Sequence, residues 1–134
     1  MSRTILFLGA LAAVSATAAA AAWQPTGAGA GAAHARTLPT GNTPSASVSS
    51  HDVTLTWTAS TFAGGGAVPG YVIARYDALG NAQTVGASCS GIVSAVTCTE
   101  SAVPIGTWQY TVTPAAGAWR GTEGPKSALV VVTL

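Results

Sequence analysis

The 134-residue chain is long enough for one ordinary domain and too short for two, and only 7% of it is charged, with 5 Lys+Arg against 4 Asp+Glu and a formal net charge of +1. That balance supplies neither the clustered cations that neutralise nucleic-acid phosphates nor a polybasic patch for anionic lipid, so both partners are disfavoured. The apolar fraction of 49% is raised by Ala at the front of the chain, where it reports targeting instead of a core.

In the opening stretch, Arg3 supplies a short positive region, Ile5 to Val14 an apolar region, and Ser15 to Ala22 a run of small residues. That order is a secretory signal peptide. Cleavage motifs can be read at Ala18-Ala19-Ala20 and at Ala20-Ala21-Ala22, which would start the mature chain near Trp23. The uncharged run from Thr4 to Ala22 also falls within the roughly 17–25 residues that cross a bilayer, so an uncleaved anchor stays open. Cleavage is favoured because the second half is Ala and Ser instead of a Leu-rich span. Either fate places the remainder outside the cytoplasm, secreted or held on the outer face of the membrane, and the Ala- and Gly-rich style of the chain points to a bacterium. Any membrane contact is expected only through an uncleaved N-terminal segment.

Residues 23–44 mix Gly, Ala, Thr and Pro without a period of 2 or 3.6 and are expected to be a flexible linker. Leu38-Pro39-Thr40-Gly41 lacks the residue that a sortase signal carries between Pro and Thr, lies far from the C-terminus, and is read as part of that linker. From Ser45 the pattern becomes period 2. Val53, Leu55 and Trp57 alternate with Thr54, Thr56 and Thr58, placing large apolar groups on one face of a strand and hydroxyls on the other. Gly64-Gly65-Gly66 and Pro69 break the chain before a strand at Tyr71 to Tyr76, with Tyr71 and Ile73 on one face. Shorter strands are predicted at Ala82 to Val85 and Ser94 to Thr99. Trp108, Tyr110 and Val112 repeat the inward rhythm of the first strong strand, Gly117 to Pro125 reads as a long loop, and Ser127 to Leu134 closes the chain. Seven short strands in residues 45–134 predict an all-β fold, a seven-stranded antiparallel β-sandwich.

The strands VTLTWTAS, GYVIARY, GTWQYTVTP and KSALVVVTL, in this order and spacing, resemble a fibronectin type III domain over residues 45–134. An immunoglobulin arrangement fits less well, because its Trp belongs on the third strand against an inter-sheet disulfide. The resemblance implies a sandwich used for binding, spacing or adhesion. Where the family carries a Tyr whose hydroxyl bonds back to the preceding loop, this chain has Trp108, which implies a corner fixed by packing. In the loop where adhesive members carry Arg-Gly-Asp, Arg120-Gly121-Thr122 lacks the carboxylate, so integrin-type recognition is not implied.

Cys89 and Cys98, the only two thiols, most simply form a disulfide in an exported chain. Closing that loop stabilises by roughly 2.5 to 3 kcal/mol in the chain-entropy model. It joins the fourth and fifth strands either as a hairpin or at a crossing between sheets. A reactive or metal-binding pair is the competing reading, but His34 and His51 lack zinc-like spacing, and no metal or cofactor is expected. Asp52, Asp77, Glu100 and Glu123 offer no converging acid pair, with Asp77 and Glu100 read as lying in separate turns. His51 and Asp52 are adjacent on a strand, so neither can orient the other as a triad would require. No enzyme is expected. Trp57 and Trp108 are read as core, whereas Trp119 beside Arg120 either folds over a sheet edge, the commoner fate of a Trp, or offers a contact to a ligand. Three roles follow: a non-catalytic extracellular binding, spacer or adhesion-type domain for a protein or cell-wall polysaccharide; an accessory module for polysaccharide binding or degradation beside a separate glycoside hydrolase; and a structural subunit pairing through its apolar last strand.

Overall fold

A computed structural model describes residues 36–134; the signal segment and the first part of the linker lie outside the described residues. Among the described residues eight strands form: β1 Ser45–Ser49, β2 Asp52–Thr56, β3 Gly70–Asp77, β4 Ala82–Gln83, β5 Thr97–Glu100, β6 Gly106–Ala116, β7 Trp119–Arg120 and β8 Val130–Val132, with one 3-10 turn at Ala87–Cys89. They make two antiparallel sheets, β1-β2-β5 and β4-β3-β6, the latter carrying both β7 and β8 on the far side of β6. Seven residues back along β6, from Ala115 to Trp108, correspond to ten forward along its partner, from Arg120 to Val130. β7 and β8 are therefore two halves of one interrupted edge strand, and the seven-stranded sandwich is present.

Alternation builds the layers. Val53 and Leu55 are fully buried, while Thr54 faces outward and meets its cross-strand neighbour Thr99 hydroxyl to hydroxyl at 3.0 Å. Tyr71 and Ile73 from β3 and Tyr110 and Val112 from β6 complete the interior, with Val130 and Val132 from β8. Trp57 packs edge to face on Tyr71, ring centroids 5.5 Å apart. Three predicted strands are shorter than expected: the fourth is Ala82–Gln83, the fifth starts later and ends one residue further on at Thr97–Glu100, and the last is Val130–Val132.

The segment from Arg36 to Pro44, expected as flexible linker, is packed onto the sandwich instead. Thr40 forms a parallel bridge with Thr122, the Gly41 amide donates to the Thr122 carbonyl at 2.9 Å, and Leu38 rests on the core. The side chain of Asn42 donates to the Thr58 carbonyl at 2.9 Å. Glycine permits this approach: a Cβ on Gly41 would stand 1.7 Å from the Val112 carbonyl oxygen, and one on Gly124 would stand 2.4 Å from the Gly41 oxygen. Composition alone hid the docking because backbone crossings of this kind need no hydrophobic period.

Between the sheets lies a charged centre. Arg75 on β3 and Glu100 at the end of β5 are 6% and 1% exposed and form an ion pair. Arg75 also donates to the Thr84 carbonyl at 2.9 Å, and its guanidinium carbon lies 4.7 Å from the Trp108 ring. Glu100 accepts from the Tyr110 hydroxyl and from the Gly86 amide, both at 2.8 Å. Glu100 is thus a buried inter-sheet anchor, which corrects its reading as a turn carboxylate. The disulfide sits beside it: Cys89 in the 3-10 turn and Cys98 in β5, Cα atoms 5.6 Å apart, join where the chain crosses from one sheet to the other. Trp108 faces inward but is only half-buried. Its corner is held by a hydrogen bond from the indole Nε1 to the Pro104 carbonyl at 2.9 Å, which corrects the expectation of packing alone.

Three outcomes follow for stability. Gly41→Ala is expected to lose about 1–3 kcal/mol or more through forced backbone displacement. Gly91→Ala meets open space and strains only a φ of 66°, so about 1–2 kcal/mol is expected there. Urea midpoints compare the two. Glu100→Ala leaves Arg75 buried without its counter-charge and is expected to cost about 3–5 kcal/mol, whereas Arg75→Met with Glu100→Leu costs less than the sum of the single changes in a double-mutant cycle. Burial first, then the hydrogen bond to Glu100, pushes the Tyr110 phenol well above its ordinary value of 10.0. The folded state therefore holds that proton more tightly than the unfolded chain, a stabilisation fully present below pH 10 and lost as pH rises above it. Urea midpoints measured from pH 9 upward are expected to fall less steeply for Tyr110→Phe than for the native protein.

Candidate functional site

The candidate groups divide into those used up by the fold and those left at its surface. Asp52 is exposed at the start of β2, and Asp77 closes the β3–β4 turn. Asp77 accepts from the amides of Leu79 and Asn81 at 2.9 Å, and these bonds, Asn81 first, hold its carboxyl below the ordinary range. Glu123 accepts from the hydroxyls of Tyr76 and Thr111, and its carboxylate raises the Tyr76 phenol, chiefly through that hydrogen bond. With Glu100 in the interior, Asp77, Glu100 and Glu123 share no partner with one another, and the Asp52 carboxylate makes no hydrogen bond among the described residues. The structure brings Glu100 to Arg75 and Tyr110, and Asp77 to Asn81 and Gln83, in place of one another.

His51 precedes β2, after a turn in which Ser50 takes a left-handed φ of 58°. Its ring Nδ1 lies 3.1 Å from the Val103 carbonyl, while the Val103 amide donates to the His51 carbonyl at 2.8 Å. A carbonyl only accepts, so Nδ1 carries the proton in this contact. His51 thus fastens the Val103 loop to the start of β2. His34 lies outside the described residues.

Trp119 and Arg120 are placed differently from expectation. The long loop read after Gly117 begins as a tight hairpin: Gly117 takes a left-handed φ of 58°, and β7 folds back so that Trp119 pairs with Ala116 and Arg120 with Ala115. Arg120 fastens this turn, its Nη1 donating to the Gly117 carbonyl at 2.7 Å and to the Trp119 carbonyl at 3.1 Å. Trp119 does not fold over the sheet edge: it is 71% exposed, because a side chain on this two-residue strand at the margin of the sheet has no layer above it.

An open groove runs beside it, lined by Arg36, Thr37, Leu38, Trp119, Arg120, Gly121 and Thr122. One wall is the docked segment before β1 and the other is β7 with the residues after it. The walls meet at glycine: a Cβ on Gly121 would stand 2.2 Å from the Pro39 carbonyl oxygen. Arg36 lies 5.5 Å from the Phe62 ring centroid, which steadies its guanidinium at the rim. Sequence reading missed Arg36 because it was assigned to the linker. The signal that would have found it is the spacing of glycines at 41, 121 and 124, which is intelligible only once the two segments are known to cross. The groove offers an apolar ring face and two guanidinium groups, a binding chemistry in which the Thr37 and Thr122 hydroxyls have no carboxylate or imidazole among the lining side chains.

No protein-family model matches the chain, and no curated protein sequence matches it. Solved structures do. A structure of titin kinase and its flanking domains aligns with a TM-score of 0.60 and 18% identity over 73% of this chain and 18% of that one. Titin domains A168-A170 align at 0.59 and 17% identity, over 72% and 33% of the two chains. The twitchin kinase region of C. elegans aligns at 0.55 and 16% identity, over 70% and 17%. This chain spans no more than 33% of the length of any of these three. The shared part is a fold, an immunoglobulin- and fibronectin type III-like β-sandwich.

Proposed function

We propose that this protein is a non-catalytic extracellular binding domain whose contact surface is the groove beside Trp119, and that its ligand is an extracellular polysaccharide. The observation that carries the reading is the exposure of Trp119 on a hairpin that is itself fixed by Arg120 and Gly117. A large aromatic face left in water at the rim of a groove supplies the stacking area that sugar rings use, and rigid support lowers the entropy lost on binding. The signal-like front of the chain and the disulfide support export, by cleavage or with an anchor retained, into an oxidising compartment. Asp77, Glu100 and Glu123 are taken up in separate structural roles, which supports a binding role over a hydrolytic one.

A second reading, assembly through the last strand, has its own observation. Leu129 and Val131 are 58% and 57% exposed beside the β8 edge, where another chain could pair. Sedimentation that stays monomeric across concentrations contradicts assembly.

For the leading reading, Trp119→Ala is expected to lower retention on insoluble glucan or chitin by tenfold or more, since a central aromatic anchor typically contributes about 2 kcal/mol. The urea midpoint is expected to change little, because the side chain is largely in solvent. Unchanged retention by Trp119→Ala contradicts the assignment of this surface.

A further inference from the structure

We infer that the groove is built for an acidic polysaccharide, one whose sugar rings carry carboxylates; the inference rests on the proposed role of Trp119 as a glycan platform. Its basis is the sign of the charge around that platform. Among the described residues the cations are Arg36, Arg75, Arg120 and Lys126. Arg75 is committed to Glu100 in the interior, and Lys126 stands 4.6 Å over the Tyr76 ring. Arg36, itself 5.5 Å from the Phe62 ring centroid, and Arg120 both line the groove that holds Trp119, whereas Lys126 does not. No carboxylate lines it. Glu123, the nearest acid in sequence, has its carboxylate taken by the hydroxyls of Tyr76 and Thr111.

A chain with almost balanced charge therefore places both of these arginines on the lining of the groove that holds one exposed indole. Arg120 uses Nη1 for the hairpin carbonyls, and among the described residues Nη2 and Nε make no hydrogen bond. A guanidinium fork matches a carboxylate geometrically, and it keeps its charge at every physiological pH. A neutral glycan would use the indole and leave both forks without a counter-charge. A uronate-bearing glycan would stack one ring on Trp119 while its carboxylate meets Arg120 or Arg36. Two accessible cations are too few for a nucleic-acid backbone, where affinity grows with each phosphate neutralised, and too few for a stable polybasic lipid contact.

The test uses the purified full-length protein with polygalacturonate as the acidic probe and dextran as the neutral one, followed by intrinsic tryptophan fluorescence and isothermal calorimetry. The expected result is binding of polygalacturonate at least tenfold tighter than dextran and weakened by added salt. About tenfold loss is expected in each of Trp119→Ala, Arg36→Gln and Arg120→Lys, the first through lost stacking area and the other two through a lost charge-assisted hydrogen bond. Arg36→Gln removes a rim charge that makes no hydrogen bond among the described residues, so it separates ligand recognition from folding; an unchanged urea midpoint with weakened binding supports the inference. Equal binding of both probes, lost in Trp119→Ala, overturns the acidic class and leaves the glycan platform standing. Polygalacturonate binding that none of the three substitutions alters overturns the inference as diffuse charge attraction. Failure to bind polygalacturonate also overturns it, and retention of the native protein on insoluble glucan or chitin then decides whether the platform itself survives. Tighter binding to oligothymidylate or to phosphatidylserine vesicles than to polygalacturonate overturns it in favour of that partner.

Discussion

The pairing of Arg75 with Glu100 across the interior is the constraint on which the rest of the sandwich depends. One charge belongs to the β4-β3-β6 sheet and the other to β1-β2-β5, so neither can be satisfied unless the sheets close on each other. A lone charge in such a place carries a desolvation penalty of several kcal/mol, and the structure meets it with partners for the carboxylate and for both terminal nitrogens of the guanidinium, leaving the buried Arg75 Nε without one among the described residues. The Tyr110 hydroxyl and Gly86 amide supply donors to the carboxylate, the Thr84 carbonyl accepts from the guanidinium, and the Trp108 ring covers it. Thr84 and Gly86 belong to the segment that crosses between the sheets, and the Cys89–Cys98 disulfide pins that same segment to β5. Covalent and ionic ties thus act on one end of the sandwich. A hydrophobic core attracts without direction, whereas this network accepts one register of β3 against β6 and one path for the crossing.

That commitment shapes what remains for function. A carboxylate and a guanidinium that could otherwise serve chemistry are sealed in the core, and Asp77 and Glu123 are held by turn amides and hydroxyls. The surface chemistry that is left concentrates where the segment before β1 crosses the interrupted edge strand. Glycines 41, 121 and 124 let the two backbones touch, which brings Arg36 alongside Trp119 and Arg120. The groove is a consequence of backbone proximity, and its position at the sheet margin explains why an indole can stay in water there.

Much of the fold was legible in the alternation of residues, because burial on one sheet face imposes a period of 2 that Val53, Leu55, Tyr71, Ile73, Tyr110 and Val112 all obey. The disulfide was legible from the presence of two cysteines in a chain expected to be exported. Arg75 obeys the same inward parity as Tyr71 and Ile73, but a charged residue at an inward position has meaning only when its partner is known, and Glu100 lies on a strand of the other sheet. Arg36 was hidden for a related reason: Gly-, Pro- and Thr-rich sequence is compatible with both a free tether and a tightly docked backbone. Trp119 was misplaced because its surrounding glycines read as loop, although Gly117 serves a hairpin turn. Pairwise relations between distant segments decided each of these cases, and no local pattern encodes them.

Backbone hydrogen exchange tests most directly whether the buried charged network couples the two sheets. The reporter is the Gly86 amide, which lies outside the strands and donates to Glu100 at 2.8 Å. The account predicts that Gly86 exchanges as slowly as the amides of β5 and β6, and that all three regions become labile together in Glu100→Ala. Exchange of Gly86 at the rate of the open Gly64–Gly66 loop, or retention of β6 protection after the β5 amides have been lost, would contradict it.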